Sequence, residues 1–509
     1  MTPHPVRPLP SHVRVAVVGT GFSGLGTAIR LHRSGSRDFC VLERGDDVGG
    51  TWRDNSYPGC ACDVPSHLYS FSFAPNADWS RSFSGQPEIQ AYIQRTAAES
   101  GVLPHIHFGT ELLEAAWDEG DRRWTVRTNR GEFTADVLVV GAGPLSEPTL
   151  PDIPGIGTFA GTTFHSATWD HDHSLAGRRV AVVGTGASAI QFVPYVQRNA
   201  AHLTLFQRTA PWVLPRRDRA IPGWERAVYR HVPGARRALR AGIYALRESW
   251  LVGFTIRPQI MELAEKQALG MLRKQVPDPA LREKLTPNFR LGCKRVLISN
   301  DYYPALAQSN VDVETDRIVE VTPTGVVTAG ADGTRTEHPV DTLIFGTGFH
   351  VTDHPIAGRI RGRDGGTLAD HWKSTGMSAL HGVTVNGFPN LFYLVGPNTG
   401  TGNTSIIYMA EAQVEYLLSA LSQMDARGLA VLEPHEEVQR AYNERVQEQL
   451  RGTVWNSGGC ASWYLDDKGR NTTLWPTFTF RFRRQVRRLD LAEYRTEPRT
   501  APLTVSGAA

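Results

Sequence analysis

The sequence predicts an α/β fold, on three observations. An apolar, β-rich run, Val13–Val18, enters the turn Gly19-Thr20-Gly21-Phe22-Ser23-Gly24 and leaves it as a helical pattern through Leu25, Ala28 and Ile29. The same unit recurs from Arg178, as Val180–Val183, then Gly184-Thr185-Gly186-Ala187-Ser188-Ala189, then a helix beginning near Ile190. After Asp341–Phe345 and Gly346-Thr347-Gly348 the strand-rich pattern turns back toward the first unit. Together these predict two Rossmann-like dinucleotide-binding domains, the second inserted into the first.

Size agrees with this plan, because 509 residues exceed the ~250–300 at which a single core stops growing. The bounds read from the pattern are 1–148 and 341–509 for the two parts of the first domain, the latter ending in a closing loop. The second domain takes 149–212 and 292–340, with a helical insertion at 213–291 where β-rich alternation disappears. Basic and acidic residues number 54 and 51, a balance that argues against nucleic acid as a partner.

Five scattered cysteines (Cys40, Cys60, Cys62, Cys293, Cys460) suggest neither a disulfide framework nor a zinc site, so a cytoplasmic location is expected. Met1–Pro10 lacks the apolar core of a signal peptide. The best membrane candidate, Ala241–Ile256, is broken by Arg247, Glu248 and Ser249, so a buried or cleft-lining helix is expected and no membrane association.

In the first turn, Gly19 permits the bend, Gly21 lets a pyrophosphate approach the backbone, and Gly24 lets helix and strand pack. The phosphates would then sit at the positive end of the helix dipole. The next strand, Phe39–Leu42, ends in Glu43, whose carboxylate suits ribose hydroxyls and repels a 2′-phosphate. That favours an unphosphorylated adenosine, such as that of FAD or NAD. At the corresponding place in the second unit, after Leu203–Phe206, stand Gln207 and Arg208. Arginine can donate two parallel hydrogen bonds to a phosphate, so the second unit is assigned to NADPH and the first to FAD.

Further on, the strand Leu391–Val395 enters Gly396-Pro397-Asn398-Thr399-Gly400-Thr401-Gly402-Asn403, followed by a helix from about Ser405 to Met424. A backbone-rich loop at a helix start suits an electron-rich group, here the flavin pyrimidine edge. The tail, Trp455–Arg488, is dense in Trp, Gly and Arg and reads as a loop closing over cofactor.

On these motifs the sequence resembles the flavin-dependent Baeyer-Villiger monooxygenases of the single-chain FAD and NADPH type, similar to phenylacetone and cyclohexanone monooxygenases. One family fingerprint is met by Phe159, Gly161, His165, Trp169 and Asp170, and another by Gly50, Trp52, Tyr57, Pro58, Gly59 and Asp63. A third feature is Lys294-Arg295 ahead of Tyr302-Tyr303. Asp170 is the less usual residue after the Trp, and Ala189 replaces the last glycine of the second turn.

The resemblance implies NADPH- and O2-dependent insertion of oxygen next to a ketone carbonyl, through an anionic flavin peroxide. Arg295, which keeps its proton at working pH, is the candidate to stabilise that negative charge. It further implies that Asp63 orients Arg295 and that Lys294 and Arg208 hold the 2′-phosphate. The candidate cofactor set is completed by Thr51, Tyr69, Thr209 and Trp463 beside the two glycine turns.

His165 is read as a residue of the junction between the domains, not as a catalyst. The substrate expected is a small ketone. The alternatives are an N- or S-oxygenating flavin monooxygenase and, further off, a flavoprotein reductase working through Cys60 and Cys62.

Overall fold

The computed structural model describes residues 7–499, so residues 1–6 and 500–509 of the bounds above lie outside the described residues. Its first sheet grows from β1 (His12–Val18), which pairs in parallel with β2 (Phe39–Leu42); β3 (Ile106–His107) adds at the outer edge. On the other flank a meander of β4 (Leu112–Asp118), β5 (Arg123–Thr128) and β6 (Gly131–Val140) joins β1 through β6. Far downstream, Leu391–Tyr393 pairs with β6, which brings the C-terminal segment back into this sheet. All four residues of β2 and five of the seven of β1 are buried, because Val15, Val17, Phe39 and Val41 pack with Leu25, Ala28 and Ile29 of the following helix while Ala16, Val18, Cys40 and Leu42 pack with Trp117, Trp124 and Phe133 of the meander.

The second sheet is built from β7 (Thr162–His165), β8 (Arg179–Val183) and β9 (His202–Phe206). Next come β10 (Val213–Leu214) and β11 (Leu297–Ile298), a separate parallel pair that closes the base of the helical insertion. With β12 (Val311–Glu314) and β16 (Thr342–Phe345) the sheet order is β12-β9-β8-β16-β7, parallel throughout. Between them β13 (Arg317–Thr322), β14 (Gly325–Ala329) and β15 (Arg335–Pro339) form a small antiparallel sheet.

Two sequence readings are corrected here. Phe159–Asp170, where His165 was read as a residue of the junction between the domains, has β7 at its centre, the edge strand of the second sheet, paired residue for residue with β16. And β16, placed by the bounds in the returning part of the first domain, lies inside the second sheet between β8 and β7. Pairing across some 180 residues of chain leaves no local signal, so periodicity could identify the strand but not its sheet.

Cysteine spacing also misled. Cys293 and Cys460 form a disulfide across a sequence separation of 167, while Cys40, Cys60 and Cys62 are free and buried. No helix among the described residues is long and apolar enough to cross a membrane. The interrupted run at Ala241–Ile256 instead supplies the end of the helix Ala235–Ser249 and a following π-helical turn, Val252–Ile256.

Candidate functional site

The glycines of the first turn do what their positions require. Gly19 has φ +93° and faces the Gly141 carbonyl, and a Cβ on Gly24 would collide with the Gly19 carbonyl, which fixes helix against strand. Gly21 and Gly50 face each other so closely that a Cβ on Gly50 would sit 3.1 Å from the Gly21 Cα. The result is a cradle of bare backbone at the start of the helix Phe22–Arg33, fit for a pyrophosphate.

Glu43 lies at the end of β2, almost fully buried. Its Oε2 accepts from the Thr20 amide at 2.9 Å and from the Thr20 hydroxyl; its Oε1 accepts from the Gly45 amide and from Arg53 Nη1. Arg53 was not anticipated. It is pinned between Glu43 and Asp54, and only its place one residue after Trp52 could have hinted at it. Trp52 Nε1 donates to the Tyr69 hydroxyl at 3.0 Å, so these two candidates support one another, and Thr51 opens the short helix Thr51–Asp54 that carries Trp52.

The segment Tyr57–Asp63 joins the two domains. The Tyr57 hydroxyl donates to Gln191 Oε1 at 3.0 Å, and Gln191 Nε2 donates to the Ala61 carbonyl at 3.0 Å. A Cβ on Gly59, where φ is +83°, would press on the Gln191 carbonyl at 2.8 Å. Gln191 belongs to the helix Ala189–Asn199 that follows the second turn, so the Tyr-Pro-Gly motif touches the other nucleotide unit directly.

At that second turn, Gly184 has φ +110° and backs onto Gly346, with Ala189 packed at the place where the repeat lacks a glycine. Gly186, Ala187 and Ser188 lead into the helix. Thr185 Oγ1 donates to the Thr209 carbonyl, and Lys294 Nζ donates to Thr209 Oγ1 at 2.7 Å. Arg208 is exposed beside them, and burial together with the Arg208 charge lowers the Lys294 pKa. Two neighbouring cations, with the Lys294 ammonium destabilised by the Arg208 charge, make a receptor for an anion.

Arg295 and Asp63 meet between these two units. Arg295 Nε donates to Asp63 Oδ2 and Nη2 to Oδ1, both at 2.8 Å, and Nη1 donates to the Thr401 carbonyl at 3.0 Å. About a quarter of each side chain is open to the cleft, 24% for Arg295 and 27% for Asp63. Burial pushes the Asp63 carboxyl up, but the Arg295 charge and hydrogen bonds, with a smaller pull from Arg247, hold it below the ordinary range. Burial likewise opposes the Arg295 charge, and Asp63 more than offsets it, so the guanidinium stays protonated.

Thr401 belongs to the loop before the 22-residue helix Ile406–Arg427, capped by Ser405 Oγ accepting from the Ile407 amide. Val395 and Asn398 hold positive φ, +53° and +56°, conformations that cost energy for residues with a Cβ and mark this loop as over-determined by its surroundings. Trp463 stands on the tail loop, 46% exposed, with its ring against Tyr464 at 4.4 Å. The Cys293–Cys460 disulfide ties that loop to the residue just before Lys294-Arg295.

His165 sits apart from this chemistry. Its Nδ1 accepts from the Ala167 amide, its ring lies edge-on to Phe349, and burial lowers its pKa to about 4. The reductase reading fails on its cysteines: Cys60 and Cys62 are free and buried, and burial pushes the Cys60 thiol up to about 12 and Cys62 higher. A redox pair needs an accessible, low-pKa thiol.

Two glycine-turn units facing each other across an arginine–carboxylate pair define an oxidoreductase with two dinucleotide sites. A family model described as flavin-binding monooxygenase-like matches residues 12–232. The chain is 55% identical to a Baeyer-Villiger monooxygenase of Streptomyces coelicolor, over 98% of this chain and 95% of that one. It is 49% identical to one of Pseudomonas aeruginosa, over 97% and 93%. Among solved structures, OTEMO in complex with FAD and NADP superposes with a TM-score of 0.86 at 26% identity, over 95% of this chain and 99% of that one. The chain belongs to the Baeyer-Villiger monooxygenase family of flavin-binding monooxygenases.

Proposed function

We propose that this protein is an FAD-containing, NADPH-dependent monooxygenase that inserts one atom of O2 next to a ketone carbonyl, giving an ester or lactone. The observation that carries this reading is the bidentate Arg295–Asp63 pair at the seam of the two nucleotide units. Bound FAD supplies acceptance of hydride from NADPH and activation of O2. Everything else falls to the chain.

Gly19, Gly21, Gly24 and Gly50 offer backbone to the FAD pyrophosphate, with Glu43, Thr51, Trp52 and Tyr69 around it. Residues 1–148 with the returning segment are assigned to this domain. Gly184–Ser188 would take the NADPH pyrophosphate, and Arg208, Thr209 and Lys294 its 2′-phosphate. Arg295, anchored by Asp63 and Thr401, holds a fixed positive charge where negative charge builds on oxygen, and it has no proton to release at working pH. Trp463, exposed on the tail loop, would close over the cleft and exclude water.

The test is purified, FAD-loaded protein supplied with NADPH and a mixed ketone library. O2 consumption with ester or lactone products identified by mass spectrometry is expected. Rapid NADPH oxidation with no ester from any ketone would overturn the reading.

A further inference from the structure

The Cys293–Cys460 disulfide stands directly beside the residues of the candidate site. Cys293 is followed by Lys294, whose Nζ donates to Thr209 Oγ1, and by Arg295, which donates to Asp63 and to the Thr401 carbonyl. On the other side, Cys460 opens the stretch that leads to the exposed Trp463.

The chain is shaped for this bridge. The Arg290 amide donates to the Gly458 carbonyl at 3.0 Å, which lays the two segments side by side. A Cβ on Gly458 would sit 2.5 Å from the Cys293 Cβ and 2.9 Å from its Sγ, so the approach requires glycine there. Cys293 also closes a turn, its amide donating to the Arg290 carbonyl at 3.1 Å.

Beyond Gly458 the loop is held by little else. Apart from contacts to the Cys293 sulfur, no hydrogen bond joins 459–462 to another segment among the described residues. The Tyr464 and Leu465 amides donate to Ser462 within the same loop. The next anchors are the buried Tyr464 side chain and the Thr473 hydroxyl, which donates to the Trp463 carbonyl at 3.5 Å. Access is one-sided as well. Cys293 is 1% exposed while Cys460 is half-buried, so a thiol from solvent meets the Cys460 side of the bond first. Cys40, Cys60 and Cys62 are buried, and burial pushes the Cys40 and Cys60 thiols up to about 12, which keeps them out of exchange.

We propose that the Cys293–Cys460 bridge is a thiol-exchange site that switches the enzyme: a small dithiol opens it at Cys460, the loop carrying Trp463 comes free, and ester formation is uncoupled from NADPH oxidation. The proposal rests on the functional reading above, in which Trp463 closes the cleft. A dithiol thiolate attacks Cys460 Sγ, the S–S bond breaks, and Cys293 leaves as a thiolate. The second thiolate of the dithiol then displaces Cys460, and the dithiol ends as a cyclic disulfide. Its two electrons reside on Cys293 and Cys460, and its two protons convert them to thiols. In an open, wet cleft the reduced oxygen leaves as H2O2 instead of entering an ester.

The experiment incubates the folded, FAD-loaded enzyme with dithiothreitol, alkylates it with iodoacetamide and maps the labels by mass spectrometry. Labelling of Cys293 and Cys460 alone is expected, and chymotryptic cleavage of the alkylated protein after Trp463 should be faster by about tenfold or more. The share of NADPH recovered as ester should fall while H2O2 rises to match, and oxidised dithiothreitol added before alkylation should reverse both. Cys460→Ser, with no bridge to open, should behave as the opened form and ignore the dithiol; if it does not fold, the wild type decides alone. A bridge that resists dithiothreitol in the folded enzyme overturns the proposal. So does an opened bridge with cleavage after Trp463 unchanged, or with faster cleavage but an unchanged share of ester. Labelling and cleavage need no turnover, so the two readings separate. Esters with unchanged cleavage sink the switch alone, and release of the loop with no ester from any ketone before or after opening sinks the functional reading.

Discussion

Asp63 and Arg295, separated by 232 residues of chain, meet in a bidentate ion pair with both hydrogen bonds at 2.8 Å. Such forked geometry fixes the guanidinium plane, which a lysine cannot reproduce. Arg295→Ala and Arg295→Lys are therefore expected to keep reduction of bound flavin by NADPH within a few fold, followed by rapid-mixing absorbance. Ester formation should fall by about 10²–10³-fold, the scale of losing one charge-stabilising donor. Loss of reduction with no separate loss of oxygenation would show that Arg295 serves NADPH binding instead.

Arg208 and Lys294 flank Thr209 beside the second glycine turn. Charged hydrogen bonds to phosphate contribute about 1.5–3 kcal/mol each. Arg208→Ala is expected to raise KM for NADPH by about 10- to 100-fold and leave KM for NADH nearly unchanged, in steady-state assays with either nucleotide. Equal effects on both nucleotides would remove Arg208 from the phosphate site.

The Cys293–Cys460 disulfide joins the segment before Lys294 to the tail loop. Protein denatured without reductant should show three reactive thiols, from Cys40, Cys60 and Cys62, and five after reduction. Cys460→Ser should lower stability by about 2–4 kcal/mol, read from denaturant unfolding. Five thiols without reductant would refute the bridge.

His354 is buried with its Nδ1 hydrogen-bonded to the Tyr393 hydroxyl at 2.7 Å, and burial depresses its pKa from 6.5 to about 4. Above pH 6.5 the ring is neutral in both folded and unfolded chains, and stability owes nothing to its titration. Between 6.5 and about 4 only the unfolded chain takes up the proton, so stability falls as pH falls, by about 1.4 kcal/mol per pH unit. His354→Gln should flatten the acid limb of a plot of unfolding free energy against pH. An unchanged acid limb would refute the depressed pKa.

What the sequence by itself determined is what short-range rules encode. Gly19 and Gly24 need no tertiary information, because a bend with positive φ and a close helix–strand approach exclude other residues within a few positions of chain. The acid at Glu43 and the cation at Arg208 were legible for the same reason, each ending a strand that follows a glycine turn. The Asp63–Arg295 contact was reachable only through the resemblance to a family, since nothing in spacing links those positions. Only the tertiary structure decided the rest: that β16 pairs inside the second sheet, that Phe159–Asp170 supplies an edge strand, and that Cys293 finds Cys460. Arg247 belongs with these. In the sequence it is merely a charge interrupting an apolar run. The end of its helix is fixed from afar, the Arg247 carbonyl accepting from Asn403 and the Glu248 carboxylate from Thr479, each more than 150 residues away. Burial and charge compensation are sums over neighbours in space, and a chain read in order does not show who those neighbours are.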